Sequence, residues 1–277
     1  MAEHAVVAAY LWTALPAVVL QCLGWNSQSD VAQELLQPRA KHAVEFFCGT
    51  GALATALSQA GMRCDWFDSQ LEPLHDILTV TGIAAAVRMV LAVMPGGVAW
   101  FGVPCSTFVW MARGHTKRSY LNPLGDGTRV DVSRANAIAR IVTMLCRVLS
   151  MRGVFFVMEQ PSGSLLWQVP CMRLAARRLR VKGWQWSRRF VWLGHFGHKI
   201  NKPTELRGIF PNLAQILPSK RPRGQSAVGV YRVWTSKKNG SRRVGGSAGL
   251  KSTEHYPKRF CEAVAREIRK RIARHLK

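Results

Sequence analysis

GVAWFGVPCSTFVWMARGHTKR, Gly97 to Arg118, is the stretch whose reading decides the fold. Its apolar run from Gly97 to Val103 predicts a short buried strand. Pro104 has no N–H to give a sheet ladder and marks the strand's end. Cys105 therefore stands at the carboxyl tip of a strand, where open α/β sheets bind their ligands. The segment behind it is polar and basic, without a helical period until about Val132. Connections that long are functional lids or disordered. A thiol at a strand tip with a mobile basic loop behind it points to a nucleophile that meets an anionic substrate. The alternative is a small buried cysteine capping the sheet.

Upstream, Ala43 to Phe47 (AVEFF) predicts another strand, followed at once by the turn Cys48-Gly49-Thr50-Gly51. Ala52 to Ala60 predicts a helix closed by Gly61. Strand, glycine turn and helix form the first unit of a nucleoside-binding sheet, with the glycines letting the backbone approach a ligand at the helix amino terminus. The same glycines could serve only a tight turn. Met62 to Phe67 predicts the next strand, ending in Asp68, the position from which a carboxylate holds a ribose diol. In LHDIL, Asp76 could accept from an adenine amino group while Ile77 flanks the ring. Both acids could equally be capping or surface residues.

Downstream, Ala135 to Leu149 has the helical period and Gly153 to Met158 (GVFFVM) predicts a fully buried strand. Glu159-Gln160-Pro161 follows at its tip. If the two strands are parallel neighbours, Cys105 and Glu159 share one edge of the sheet as nucleophile and acid. The alternative for Glu159 is a cap on the helix expected from about Ser164. Beyond Pro170 come a basic helix over Arg173 to Lys182, one or two strands within Trp184 to Phe196, and a Gly/Ser/Lys/Arg-rich arm from Lys220 to Lys251. The chain closes with an amphipathic basic helix from about Pro257.

Charge is distributed unevenly. The net charge is +24, yet up to Pro170 there are 12 basic and 11 acidic residues, and from Cys171 onward 27 and 4. A near-neutral part is joined to a basic one, as a nucleic-acid contact surface requires. The seven cysteines are odd in number, with no CxxC pair and no Cys/His ligand spacing, a reducing-compartment pattern without a metal site. Ala5 to Trp25 carries no charge and would just span a bilayer. It lacks a basic n-region and holds Pro16, so the expectation is a helix packed on the domain, with an anchor or signal as the minority reading.

The ordered series EFFCGTG, Asp68, HDI, GVPCS and MEQP resembles the motifs of the carbon-5 cytosine-specific DNA methyltransferase family, over roughly Ala43 to Pro161. The resemblance implies an α/β, Rossmann-like sheet that binds S-adenosylmethionine, with a small basic C-terminal region. It places Phe47, Gly49 and Gly51 at the methionine side of the cofactor, Asp68 at the ribose, Asp76 and Ile77 at the adenine, and Pro104 at the sulfonium. Cys105 would be the nucleophile and Glu159 its acidic partner. Ser106 stands where the family usually has Gln, and Gln160-Pro161 where it has Asn-Val. Lys202 is the nearest basic substitute for a later arginine pair.

The expected divisions are an N-terminal helical segment over residues 1–40, a catalytic domain over 41–195, a nucleic-acid-contacting region over 196–256, and a helix over 257–277 packing back on the catalytic domain. Arg113, Lys117 and Arg118 are expected to lower the Cys105 pKa and, with Lys202, Arg221, Arg223, Lys237 and Lys238, to contact nucleic acid. The implied reaction is methylation of cytosine carbon 5 in DNA through a covalent cysteine adduct. The alternatives are an RNA cytosine-5 methyltransferase and an inactive nucleic-acid binder. No metal is expected; DNA is the expected partner with RNA as the alternative, and a monomer in the nucleus or elsewhere inside the cell is expected.

Overall fold

The computed structural model describes residues 41–216, 231–235, 240, 242–246 and 254–275. The uncharged N-terminal segment and most of the basic arm lie outside the described residues. Three largely apolar runs and one short edge strand make the parallel part of one sheet: β1 (Lys41–Phe46), β2 (Cys64–Phe67) at the edge, β3 (Val93–Phe101) and β4 (Phe155–Pro161). Such runs suit strands covered on both faces. Two more strands, β5 (Ser187–Trp192) and β6 (Pro203–Gly208), complete the order β2-β1-β3-β4-β6-β5, in which β6 alone runs antiparallel to its neighbours.

Connectivity fixes the faces. Helix α1 (Ala52–Gln59) joins β1 to β2, moving one way along the sheet. Helix α2 (Val80–Ala92) joins β2 to β3, moving the other way past β1. Crossovers are right-handed, so α1 and α2 cover opposite faces. A short helix α3 (Arg113–Thr116) interrupts the loop after β3. Helices α4 (Val130–Met151) and α5 (Pro170–Val181) follow β3 and β4 on the face of α2. The C-terminal helix α6 (Lys258–His275) packs on α1 and β3. Its inward stripe is Phe260, Val264, Ile268 and Ile272 at four-residue spacing, all buried. Each such side chain contributes about 1.5–3 kcal/mol by leaving water.

The fold is therefore Rossmann-like α/β. The boundary expected at residue 195 is corrected by β6, which lies between β4 and β5 in the same sheet and makes 203–208 part of the first domain. Of the basic arm, Tyr231–Thr235 (β7) and Arg242–Gly246 (β8) form a separate antiparallel two-stranded ribbon. Among the described residues, no helix is long and apolar enough to cross a membrane, and no group of His, Cys, Asp or Glu could hold a metal ion.

Candidate active site

The chain leaves β1 and β3 in opposite directions, so a crevice opens between their carboxyl ends. Those ends are level: Phe46 pairs with Phe67 and Phe101, and Phe101 with Met158. Phe46 stacks on Phe101 at 4.8 Å and tilts against Phe67 at 5.3 Å. These rings form a dry row directly beneath three loops: Phe47–Gly51, Asp68 onward, and Gly102–Cys105.

The first loop is a left-handed turn. Phe47, Gly49 and Gly51 have φ of 57°, 56° and 67°. Glycine adopts these values freely, whereas a bulky Phe there is strained by about 1–3 kcal/mol. A Cβ at Gly49 or Gly51 would meet nothing within 4 Å, so the turn faces open space. Asp68, buried at the end of β2, fixes it: Gly49 N–H donates to Oδ2 at 2.8 Å and Gln70 N–H to Oδ1 at 2.8 Å. Each carboxylate oxygen keeps a lone pair for a further donor. Asp76 accepts from Leu78 N–H at 3.0 Å and lies 3.6 Å from Arg134, and Ile77 is buried.

Glu45, unmarked in the sequence reading, sits beneath the turn. Gly51 has no side chain to cap α1, and Glu45 Oε2 accepts from Ala54 N–H at 2.7 Å in its place. Its Oε1 is buried without a partner. Burial pushes its pKa up to about 8 against the pull of that N–H, with Asp68 adding to the rise. The readable signal is a lone carboxylate inside the apolar run AVEFF.

Cys105 follows β3 and Glu159 lies in the neighbouring strand β4, near enough for the Glu159 charge to act on the Cys105 thiol. Cys105 is half-buried on the loop after β3, with Pro104 and Ser106 exposed on either side. Glu159 lies one residue beyond the Phe101–Met158 level, within β4. It caps no helix; Ser164 caps the turn at Leu165–Gln168. Burial raises the Glu159 pKa, opposed by Lys202 and by Tyr256, whose hydroxyl donates to Oε2 at 3.2 Å. Oε1 is buried and unpartnered. Tyr256 OH in turn accepts from Trp100 Nε1 at 3.2 Å, joining the segment before α6 to the sheet.

The Cys105 thiol is pushed up to about 11, first by burial and then by Glu159, with Lys202 acting against both. This corrects the expectation of a lowered thiol pKa. Arg113, Lys117 and Arg118 do not act on it; Lys202 is the cation that does. Gln160 was read as a departure from a motif, and the structure gives it a task. Fully buried, it donates from Nε2 to Val103 O at 2.5 Å and accepts from Ser164 at 2.8 Å, lashing the loop that carries Cys105 to β4.

The loop from Cys105 to Arg129 is also not featureless. Arg118 is 2% exposed and stacks 4.1 Å over Phe108. Its guanidinium donates to Pro123 O at 2.5 Å, Asn136 Oδ1 at 2.9 Å and Thr107 Oγ1 at 3.3 Å. Arg118 is thus the post around which the loop folds, and its expected contact with nucleic acid is corrected: the guanidinium is buried and both terminal nitrogens bond within the protein. Arg113 is half-buried against Tyr120, and Lys117 is exposed at the end of α3. Arg221, Arg223, Lys237 and Lys238 lie outside the described residues.

No family model matches the chain, and no curated protein matches it in sequence. Among solved structures, the S. pombe Dnmt2 methyltransferase aligns with 68% of this chain at 13% identity and a TM-score of 0.38. The alignment spans 57% of that protein's chain. The strand order and the level strand ends define the site independently of that likeness.

Proposed function

We propose that the protein transfers a methyl group from S-adenosylmethionine to carbon 5 of cytosine in DNA. The observation that supports this reading is the placing of Cys105, after β3, and a buried Glu159, in the neighbouring β4, within electrostatic reach of one another beside the open glycine turn. The residues of the turn fit the cofactor. Gly49 and Gly51 leave space above the backbone, the α1 amino terminus faces it, and Asp68 retains acceptor capacity for a ribose diol. When bound, S-adenosylmethionine supplies the methyl group as an electrophile on its sulfonium.

Carbon 5 of cytosine is a poor nucleophile until the ring is opened to attack. The Cys105 thiolate adds to carbon 6, forming an S–C bond and pushing an electron pair toward N3. Glu159 gives its proton to N3 as charge gathers there. Carbon 5 is then the nucleophilic end of an enamine. After it gains the methyl group, carbon 5 gives its proton to water, the Cys105 thiolate is expelled, and N3 returns its proton to Glu159, which restores the aromatic ring.

The two titrations support one another. An ionised Glu159 raises the Cys105 pKa, so a protonated Glu159 lifts that opposition while Lys202 still favours the thiolate. A target inside a duplex must be swung out to reach this crevice.

The test is trapping with 5-fluorocytosine in DNA, and in RNA beside it, in the presence of cofactor. Fluorine cannot leave as a cation, so the adduct should persist. Cys105→Ser should abolish it and keep cofactor binding. Wild-type protein that binds cofactor and nucleic acid yet forms no adduct would make it a binder only.

A further inference from the structure

On the face of α5, a groove of about 830 Å³ lies between that helix, the Leu165–Gln168 turn and the Tyr120–Pro123 segment. Arg173, Arg177 and Arg180 line it at the i, i+4 and i+7 positions of α5, which puts them on one face. All three are exposed and none has an acidic partner among the described residues. Like charges at this spacing weaken a helix, so the fold gains nothing from them. Arg207, on the groove's other wall, is different: it lies 4.5 Å over the Trp167 ring and is matched by Glu205 at 2.8 Å. The indole N–H of Trp167 is buried without an acceptor. Tyr120, 64% exposed, and Leu121, 99% exposed, supply an aromatic and apolar rim.

We propose that this groove holds a single polynucleotide strand, its phosphates on Arg173, Arg177 and Arg180 and a base against Tyr120. Seven residues of α-helix span about 10 Å, the axial length of about three nucleotides at ~3.4 Å each along one strand. Cations tracking a backbone beside an aromatic rim are what sequence-tolerant strand binding requires. The apolar side chains line a recess, which suits a strand better than the flat surface of a bilayer. The proposal rests on the nucleic-acid part of the reading above and not on the reaction at Cys105. Its geometric link to that site is the loop itself: Cys105 lies at one end and Tyr120 to Pro123 lie further along it.

The test is fluorescence anisotropy of the full chain with fluorescein-labelled oligodeoxythymidylate of about 12 nucleotides, within the usual site sizes, over a range of salt. Arg173→Ala/Arg177→Ala/Arg180→Ala should reduce the slope of log K against log salt by about 2, the value for three contacts to a single strand. Tyr120→Ala should weaken binding about fivefold or more with the slope unchanged, since it removes stacking and no charge. The control is Arg259→Ala/Arg269→Ala/Arg274→Ala on the exposed side of α6, which should change the slope by less than half as much. An equal effect of the two triple variants, or none from the groove triple, overturns the groove and leaves the Cys105 reading standing. No binding to any oligonucleotide, or binding only to phosphatidylglycerol vesicles, overturns the groove together with the nucleic-acid part of that reading.

Discussion

Replacing Glu45 by Gln should make the protein more stable in alkaline solution, and the size of the effect follows from one buried carboxyl. The Glu45 pKa stands at about 8 in the fold against an ordinary 4.5. A group whose pKa is raised by folding costs nothing where both states are protonated, below the unfolded value. As pH rises past 4.5, unfolded chains release the proton and folded ones keep it. Stability then falls by about 1.4 kcal/mol per pH unit until the folded group also ionises near pH 8. The accumulated loss is of the order of 5 kcal/mol, a large share of the roughly 5–15 kcal/mol typical of a domain. Gln keeps the shape, and its oxygen can still accept from Ala54 N–H, but it cannot titrate. Its amide N–H₂ would occupy the place of the unpartnered Oε1, a cost independent of pH. The variant should therefore start level with or below wild type near pH 5 and overtake it as pH rises. Urea unfolding followed by tryptophan fluorescence from pH 5 to pH 8 measures the difference directly. Parallel stability profiles for the two proteins would refute the assignment of Glu45 as a buried, protonated cap.

Two further outcomes are expected. Gln160→Ala removes both bonds that hold the Cys105 loop to β4 and should destabilise the protein by about 2–3 kcal/mol, the cost of leaving a buried acceptor and a hydroxyl unmatched. At temperatures where it remains folded, adduct formation should also slow; unchanged trapping kinetics would remove the positioning role. Tyr256→Phe deletes the hydroxyl that favours ionised Glu159, so the Glu159 pKa should rise further and the alkaline limb of the trapping rate should move to higher pH, measured as a pH–rate profile. An unmoved limb would separate Tyr256 from the chemistry.

The parts of the fold legible in the sequence are those whose cause is local. AVEFF, GVAWF and GVFFVM announce themselves because strands covered on both faces must be continuously apolar, and Asp68 and Cys105 stand out because they end such runs. Helix α6 was readable from its four-residue stripe. The unread parts depend on contacts between distant residues. Gln160 acts on Val103, and Tyr256 on Glu159, across 57 and 97 residues, so each side chain taken alone reads as a departure or a tail aromatic. Strand β6 was assigned outside the domain because its place between β4 and β5 is set by pairing and not by any pattern within PTELRG. Arg118 was misread for a related reason. In the sequence it is one more charge in a basic segment, and only the carbonyl of Pro123 and the side chains of Asn136 and Thr107 reveal a guanidinium enclosed by its own loop.

That enclosure changes how the crevice must work. A loop free to close could deliver cations to the thiol from above, as the basic run Arg113 to Arg118 suggested. Instead the loop is fastened through Gln160 at its start, Arg118 at its middle and the Asp131–His115 contact of 2.7 Å near its end. The cation acting on Cys105 comes from the opposite side of the site, from Lys202 just ahead of β6. Burial and Glu159 outweigh it, so the thiol pKa still stands at about 11. Neutralising Lys202 raises the pKa of Cys105 and Glu159 together, whereas protonating Glu159 lowers only that of the thiol.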